Sequence, residues 1–350
     1  MPKPISAVDI FCGAGGLTHG FVAEGVNVIA GIDSDPACRF PYENNNPSLF
    51  LERDVEALDY AEVRSYFPRN SVKLLAGCAP CQPFSTYTQG RESANDEKWG
   101  LLYSFGRMIE AVRPEVVTME NVPNLVEHQV FNDFVDKLKR LQYHVTLQPE
   151  ADCPTYGIPQ TRTRLVLFAS VFGEVELESP SIPGASSVKT VRQTIGHLPQ
   201  IEAGETSSTD PLHRASRLSE KNLKRIRASK PGGTWRDWDK RLRANCHQKD
   251  SGKSYPSVYG RMQWDEPAPT ITTQFYGFGN GRFGHPEQDR ALSLREGAML
   301  QTFPETYTFV ASDQPVHIKT IGRLIGNAVP VDLARVIARS IIKHVENHHA

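Results

Sequence analysis

The sequence predicts an α/β protein, with a large domain built on a parallel sheet, a second, smaller domain, and a C-terminal helix that returns to the first. Two observations lead there. Through residues 8–168, short β-branched runs alternate with amphipathic stretches, the pattern of strands feeding crossover helices. Near residue 172 that rhythm stops, and residues 173–215 are rich in Pro, Gly, Ser and Thr, a composition of loops and turns.

Taken in order, residues 8–11, 26–33, 50–54, 74–77, 116–120, 143–147 and 165–168 read as strands. Leu17, Phe21 and Val22 recur at helical spacing, as do Phe131, Phe134, Val135, Leu138 and Leu141, and such stripes would cover the sheet. A basic helical stretch carries Lys221, Lys224, Arg225, Arg227 and Lys230, and Lys240, Arg241 and Arg243 form a second basic group. Residues 277–284 make a glycine-rich loop with Phe278, Arg282 and Phe283. Residues 318–345 predict one long helix, its apolar side marked by Ile325, Val329, Leu333, Ile337, Ile341 and Ile342.

Composition narrows the functional classes. A chain of 350 residues is long enough for two domains of roughly 100 to 200 residues. Hydrophobic content of 39% and charged content of 23% exclude a disordered chain. The net charge of −1 means that nucleic acid would have to be met by local clusters of Lys and Arg. No apolar run approaches the roughly 18 residues of a membrane helix, and the N-terminus lacks a signal peptide's pattern. The expectation is a cytoplasmic protein whose six cysteines stay reduced.

The first chemical signal is the loop Gly13-Ala14-Gly15-Gly16, which follows the first strand and opens the first helix. Glycines there let the backbone approach a ligand closely. Asp33 ends the second strand, where an acid in such a fold bonds ribose hydroxyls. Together they indicate an adenosine-containing cofactor. A dinucleotide would call for a third glycine at position 18, which is Thr18, whereas Asp9 just before the loop suits an amino group, which methionine has and pyrophosphate lacks.

The second signal begins where the fourth strand ends, at Gly77-Cys78-Ala79-Pro80-Cys81-Gln82-Pro83-Phe84-Ser85. Cys78 and Cys81 have the spacing of a redox pair or of half a zinc site. Zinc wants about four ligands, and the only other Cys and His neighbours are Cys246 and His247. The third reading makes Cys81 a covalent nucleophile. Its surroundings favour this: Met119-Glu120-Asn121-Val122 brings an acid to the same sheet edge. Gln160-Thr161-Arg162-Thr163-Arg164 brings two arginines that would share one face of a strand.

In their order along the chain, residues 9–16, 77–85, 120–122, 160–164 and 326–330 resemble the successive signature motifs of the bacterial DNA cytosine-5 methyltransferases. The resemblance spans nearly the whole chain. It implies a Rossmann-like S-adenosylmethionine-dependent methyltransferase sheet with a second, smaller target-recognition domain. The catalytic part would be residues 1–172 and 315–350, and the part that reads DNA would be residues 173–314.

The resemblance also assigns roles. Cys81 would attack carbon 6 of cytosine; a free thiol has a pKa of about 8.5, so Arg162 is the candidate to activate it. Glu120 would hold the ring at N3 and the exocyclic amine, and Arg164 would bind O2 or support Glu120. For S-adenosylmethionine, Asp9 and Phe11 stand with Gly13, Gly15 and Gly16 around the methionine and the adenine face. Asp33 and Ser34 take the ribose, and Asp54 and Val55 the adenine. Pro80, Leu101, Asn327 and Val329 line the pocket. Residues 82–100 would be a loop closing on double-stranded DNA, with Gln82 and Ser85 as DNA contacts. Arg261 and Arg282 complete the DNA-binding set, Arg261 mainly as support, while Trp235 and Trp238 read as core. No metal and no membrane are implied. The expected state is a monomer in a bacterial or archaeal cytoplasm, associated with the nucleoid. A cognate restriction endonuclease would be a functional rather than a physical partner. Two other functions share these residues, a tRNA cytosine-5 methyltransferase and a non-catalytic DNA-binding homologue.

Overall fold

The computed structural model describes residues 3–80, 97–180, 188–249, 252 and 254–349, which divide into two compact units. The first comprises Met1–Tyr156, Thr163–Ser181 and Val329–Ala350; the second comprises Gly157–Arg162 and Ile182–Ala328.

The strands in chain order are β1 (Ile5–Ile10), β2 (Asn27–Asp33), β3 (Leu49–Glu52), β4 (Val72–Gly77), β5 (Val116–Asn121), β6 (His144–Asp152), β7 (Gln160–Thr161), β8 (Thr163–Ser170) and β9 (Ala268–Pro269). The helices are α1 (Gly16–Ala23), α2 (Arg39–Asn45), α3 (Tyr60–Ser65), α4 (Glu97–Val112), α5 (Gln129–Arg140), α6 (Val191–Ile195), α7 (Glu220–Ala228), α8 (Leu294–Leu300), α9 (Ile318–Asn327) and α10 (Val331–His349).

The first unit holds a seven-stranded sheet in the order β3-β2-β1-β4-β5-β8-β6. Strands β1 to β5 are parallel. The expectation of a wholly parallel sheet is corrected at one edge, where β8 runs antiparallel to both β5 and β6. A parallel crossover needs about a dozen residues or more, and the short stretch from Cys153 to Arg162 between β6 and β8 cannot supply it. The reversal matters, because it brings the start of β8 to the edge where β5 ends.

Alternation along the strands sorts the faces. Val8 and Ile10 join Ile32, Leu75, Val117, Met119, Leu165 and Leu167 in a core with Phe105 and Met108 of α4 and Phe131 and Phe134 of α5. Asp9 points to the opposite face. Helix α1 lies on that side, since its Thr18 bonds to Asp9. There α1 packs on α10.

The single helix expected over residues 318–345 is two helices, α9 and α10, parted by Ala328, Val329 and Pro330. Proline has no N–H to give and pushes the preceding residue out of helical conformation. The return to the first unit accordingly starts at Val329, and α9 clusters with the second unit. In the second unit Ile226, Trp235, Trp238 and Phe278 form a small core, and β7 pairs with β9.

Candidate active site

Strand order reverses between β1 and β4, and in open α/β sheets ligands bind at the carboxyl ends on either side of such a switch. From the end of β1 the chain enters the glycine loop. Phe11 takes the left-handed region at φ 61, as do Gly13 at φ 54 and Gly15 at φ 87. Gly15 caps α1, so the first N–H groups of that helix open toward the loop.

Asp9 is 1% exposed. Thr18 donates to its Oδ2 at 2.7 Å, while Oδ1 has no hydrogen-bond partner among the described residues. Burial raises the carboxyl to about 7, and the Thr18 bond works against that rise. A buried acceptor without a donor is uncommon in folded proteins and suits a ligand's ammonium group.

Asp33 ends β2. Its Oδ2 accepts the Gly13 N–H and its Oδ1 the Asp35 N–H, both at 3.0 Å. Burial raises its pKa as well. Each oxygen keeps a second lone pair, so the carboxylate can brace the loop and still accept from a hydroxyl. Ser34 is exposed. Asp54 lies beyond β3, also exposed, and its Oδ1 accepts the Glu56 N–H at 2.9 Å. Val55 is buried beside it, and the Arg53 N–H bonds the Asp33 carbonyl at 3.1 Å. Pro80 and Leu101 are half-buried in the first unit. Val329 is buried, whereas Asn327 is exposed at the end of α9 in the second unit.

The antiparallel pairing of β5 with β8 places Asn121 opposite Leu165, so Glu120 and Arg164 meet at the sheet edge. Arg164 Nε lies 2.9 Å from Glu120 Oε1, and the side chains are only 11% and 8% exposed. The next residue, Asn121, has a structural part that its motif alone does not reveal. Its amide donates to the Ala79 carbonyl at 3.0 Å and its Oδ1 accepts the Val122 N–H at 2.9 Å, which ties the end of β5 to the segment just before Cys81.

Arg162 does not share a strand face with Arg164, because β7 ends at Thr161 and β8 begins at Thr163. Its Nη1 and Nη2 donate to the carbonyls of Ile271 and Ala328 at 3.2 and 3.4 Å. Cys81, Gln82 and Ser85 lie outside the described residues. The stretch 82–100 expected as a loop overlaps α4, which begins at Glu97. Among the described residues no three His, Cys, Asp or Glu side chains are grouped to hold a metal.

The DNA-reading set needs one correction. Arg261 is 5% exposed and donates to the carbonyls of Ile226, Ser229, His285 and Gln288, with Asp289 as its ion partner. It braces the second unit, its donors spent on these carbonyls rather than offered as a DNA contact. Arg225 is buried as well, donating to Leu242 O and Asn222 Oδ1, and Arg227 pairs with Asp289. Lys221, Lys224 and Lys230 are exposed. Arg282 is half-buried and donates to the Gly233 carbonyl at 2.9 Å. Trp235 and Trp238 sit in the core, with His247 stacked on Trp235 at 4.3 Å.

Residues 5–343 match the family model described as C-5 cytosine-specific DNA methylase. Type II methylase M.HgiDII of Herpetosiphon aurantiacus is 51% identical over 347 residues, covering 98% of this chain and 97% of that one. Type II methyltransferase M1.HphI of Haemophilus parahaemolyticus is 30% identical, with 97% and 87% covered. Among solved structures, a prophage-encoded methyltransferase from E. coli superimposes with a TM-score of 0.73 at 20% identity, covering 98% of this chain and 99% of that one. The S. pombe Dnmt2 methyltransferase gives 0.66 at 18%, with 98% of each chain covered; at such identities the likeness concerns the fold.

Proposed function

We propose that this chain, which belongs to the C-5 cytosine-specific DNA methylase family, methylates cytosine in duplex DNA through a covalent bond from Cys81 to carbon 6 of an extruded base. The family model is that of a DNA methylase and the similar relatives are Type II methylases, which favours DNA over the tRNA alternative. S-adenosylmethionine, when bound, supplies an electrophilic methyl group on a sulfonium. The orphaned Asp9 Oδ1, the glycine loop and the Asp33 carboxylate fit that ligand's ammonium, backbone-proximal and ribose groups in turn. Ser34, Asp54 and Val55, at the ends of neighbouring strands, take its nucleoside end.

Carbon 5 of cytosine is too weak a nucleophile to take a methyl group directly. Addition of the Cys81 thiolate at carbon 6 moves an electron pair to carbon 5, which then bonds the methyl carbon as the bond from methyl to sulfur breaks and leaves a neutral thioether. Loss of the carbon 5 proton restores the ring double bond and expels Cys81. Glu120 holds N3 and the exocyclic amine during the attack, and Arg164 holds Glu120. Arg162 contributes positive charge that favours the thiolate. Leaving the stack costs the base about a few kcal/mol, which contacts from Gln82, Ser85, Arg282 and the exposed lysines repay.

The observation that carries this reading is the buried Glu120–Arg164 pair on the sheet edge that also carries the glycine loop, an arrangement that neither a redox dithiol nor a DNA-binding scaffold requires. Bisulfite sequencing of a host expressing the chain tests it. Methylcytosine should appear in one sequence context and vanish with Cys81→Ser; unmodified DNA in both would contradict it. As a modification enzyme of a restriction system, it would protect that site from one endonuclease of a panel.

A further inference from the structure

Tyr42 of α2 belongs to none of the motifs, yet it is fully buried. Its hydroxyl lies 3.1 Å from Thr18 Oγ1 and 2.8 Å from Ser48 Oγ. Thr18 in turn donates to Asp9 Oδ2 at 2.7 Å. A hydroxyl has one proton to give. With Asp9 ionised, Thr18 gives its proton to the carboxylate, so Tyr42 must donate to Thr18 and accept from Ser48. Three hydroxyls thus form a one-way chain ending on a single oxygen of Asp9.

A second observation points to the same place. Gly31 is the register partner of Asp9 in the β1–β2 pairing, and a Cβ on Gly31 would stand 2.3 Å from the Tyr42 ring. Glycine inside a strand costs about 0.5–1 kcal/mol relative to alanine. Here it opens the seat in which the phenol lies beside Asp9.

We infer that Tyr42 and Thr18 are positioning residues for the cofactor: they pin Oδ2 of Asp9 and leave Oδ1 to receive the α-ammonium group of S-adenosylmethionine. The inference rests on the reading of Asp9 as the ammonium acceptor. An ammonium requires the ionised carboxylate, and among the described residues the titratable groups around it, Asp33 at the end of β2, Cys12 in the loop and Tyr42 on α2, include no cation. Burial and Asp33 oppose ionisation and the Thr18 hydrogen bond favours it. Loss of that bond should therefore carry the acid limb of cofactor affinity to higher pH.

Titration calorimetry on the full chain tests this with two probes, S-adenosylhomocysteine, which keeps the amino group, and 5′-methylthioadenosine, which lacks it. Thr18→Val should weaken S-adenosylhomocysteine by about ten- to a hundredfold, as loss of a charge-assisted bond does, and Tyr42→Phe by about three- to tenfold. Both should leave 5′-methylthioadenosine unchanged, and Thr18→Val should shift the acid limb upward. If Asp9→Asn weakens S-adenosylhomocysteine while Thr18→Val and Tyr42→Phe do not, the positioning inference falls and the reading of Asp9 survives. If Asp9→Asn has no effect, the reading of Asp9 itself falls. Equal weakening of both probes by Thr18→Val would mean general damage and overturn the inference. Should Tyr42→Phe not fold, Thr18→Ser against Thr18→Val decides: serine retains the hydroxyl and should retain the affinity, and equal loss in both contradicts the claim.

Discussion

Arg164, at the start of β8, holds its Nε 2.9 Å from Oε1 of Glu120 at the end of β5, and solvent reaches little of either side chain. Removing one partner of a buried ion pair costs about 3–5 kcal/mol, because the other is left uncompensated. Arg164→Ala should therefore lower the melting temperature and the turnover together. Glu120→Gln keeps the shape and an acceptor, so it should melt closer to the parent while losing about 10²- to 10⁴-fold in kcat, the usual worth of a positioned acid or base. Differential scanning calorimetry beside initial-rate assays separates the two, and equal melting losses would contradict the distinction.

Asn121 links the Ala79 carbonyl to the end of β5. Asn121→Ala should cut kcat by about 10²-fold, as a misplacement of roughly 1 Å does, with little change in the affinity for S-adenosylhomocysteine. Unchanged kcat would show that the link does not position the segment before Cys81.

What was legible in the sequence was local. Asp9 lies one residue before the end of β1, the glycine loop follows that end and Asp33 closes β2, so strand periodicity and turn chemistry placed them. Pro330 carried a readable signal that α9 and α10 are separate, and the run of apolar positions hid it. Tyr42 was not legible, because its contacts with Thr18 and with Gly31 depend on how α2 packs on the sheet, which no spacing encodes. Arg261 was readable as support only through the resemblance, and its own residue type argued for a DNA contact. An arginine reads as exposed until the carbonyls of Ile226, Ser229, His285 and Gln288 are seen to converge on it from distant parts of the chain. The direction of β8 followed from the brevity of a connection rather than from the strand's own residues.

The second unit should lose stability in mild acid through His285. Its Nδ1 accepts the Glu287 and Gln288 N–H groups at 3.2 and 2.9 Å, which requires a neutral ring, and burial lowers its pKa to about 4. The folded value lies below the unfolded one of about 6.5, so the unfolded chain binds the proton first and stability falls as the pH drops from about 6.5 toward 4. Glu296, held at about 2 by Arg290, adds a loss only below its unfolded value of about 4.3. Melting curves from pH 7.5 to 4.5 should fall less steeply for His285→Asn than for the parent. Parallel slopes would contradict the assignment.

Arg261 and Arg282 should separate in solution. Arg261→Ala leaves the buried carbonyls without their donor and Asp289 with Arg227 alone, so it should cost about 3–5 kcal/mol of stability. Arg282→Ala should melt within a few degrees of the parent but weaken DNA binding and reduce the slope of log affinity against log salt by about one if it meets a phosphate. Unchanged DNA affinity and site preference for Arg282→Ala would take it out of the interface.

Incubation with S-adenosylmethionine and duplex DNA carrying 5-fluorocytosine at the methylated position tests the covalent route most directly. Fluorine cannot leave carbon 5 as a cation, so the adduct through Cys81 cannot resolve. Denaturing gels should show a protein–DNA complex for the parent and none for Cys81→Ser. Full methylation of ordinary DNA with no trapped complex on the fluorinated duplex, or an equal complex with Cys81→Ser, would contradict the role given to Cys81.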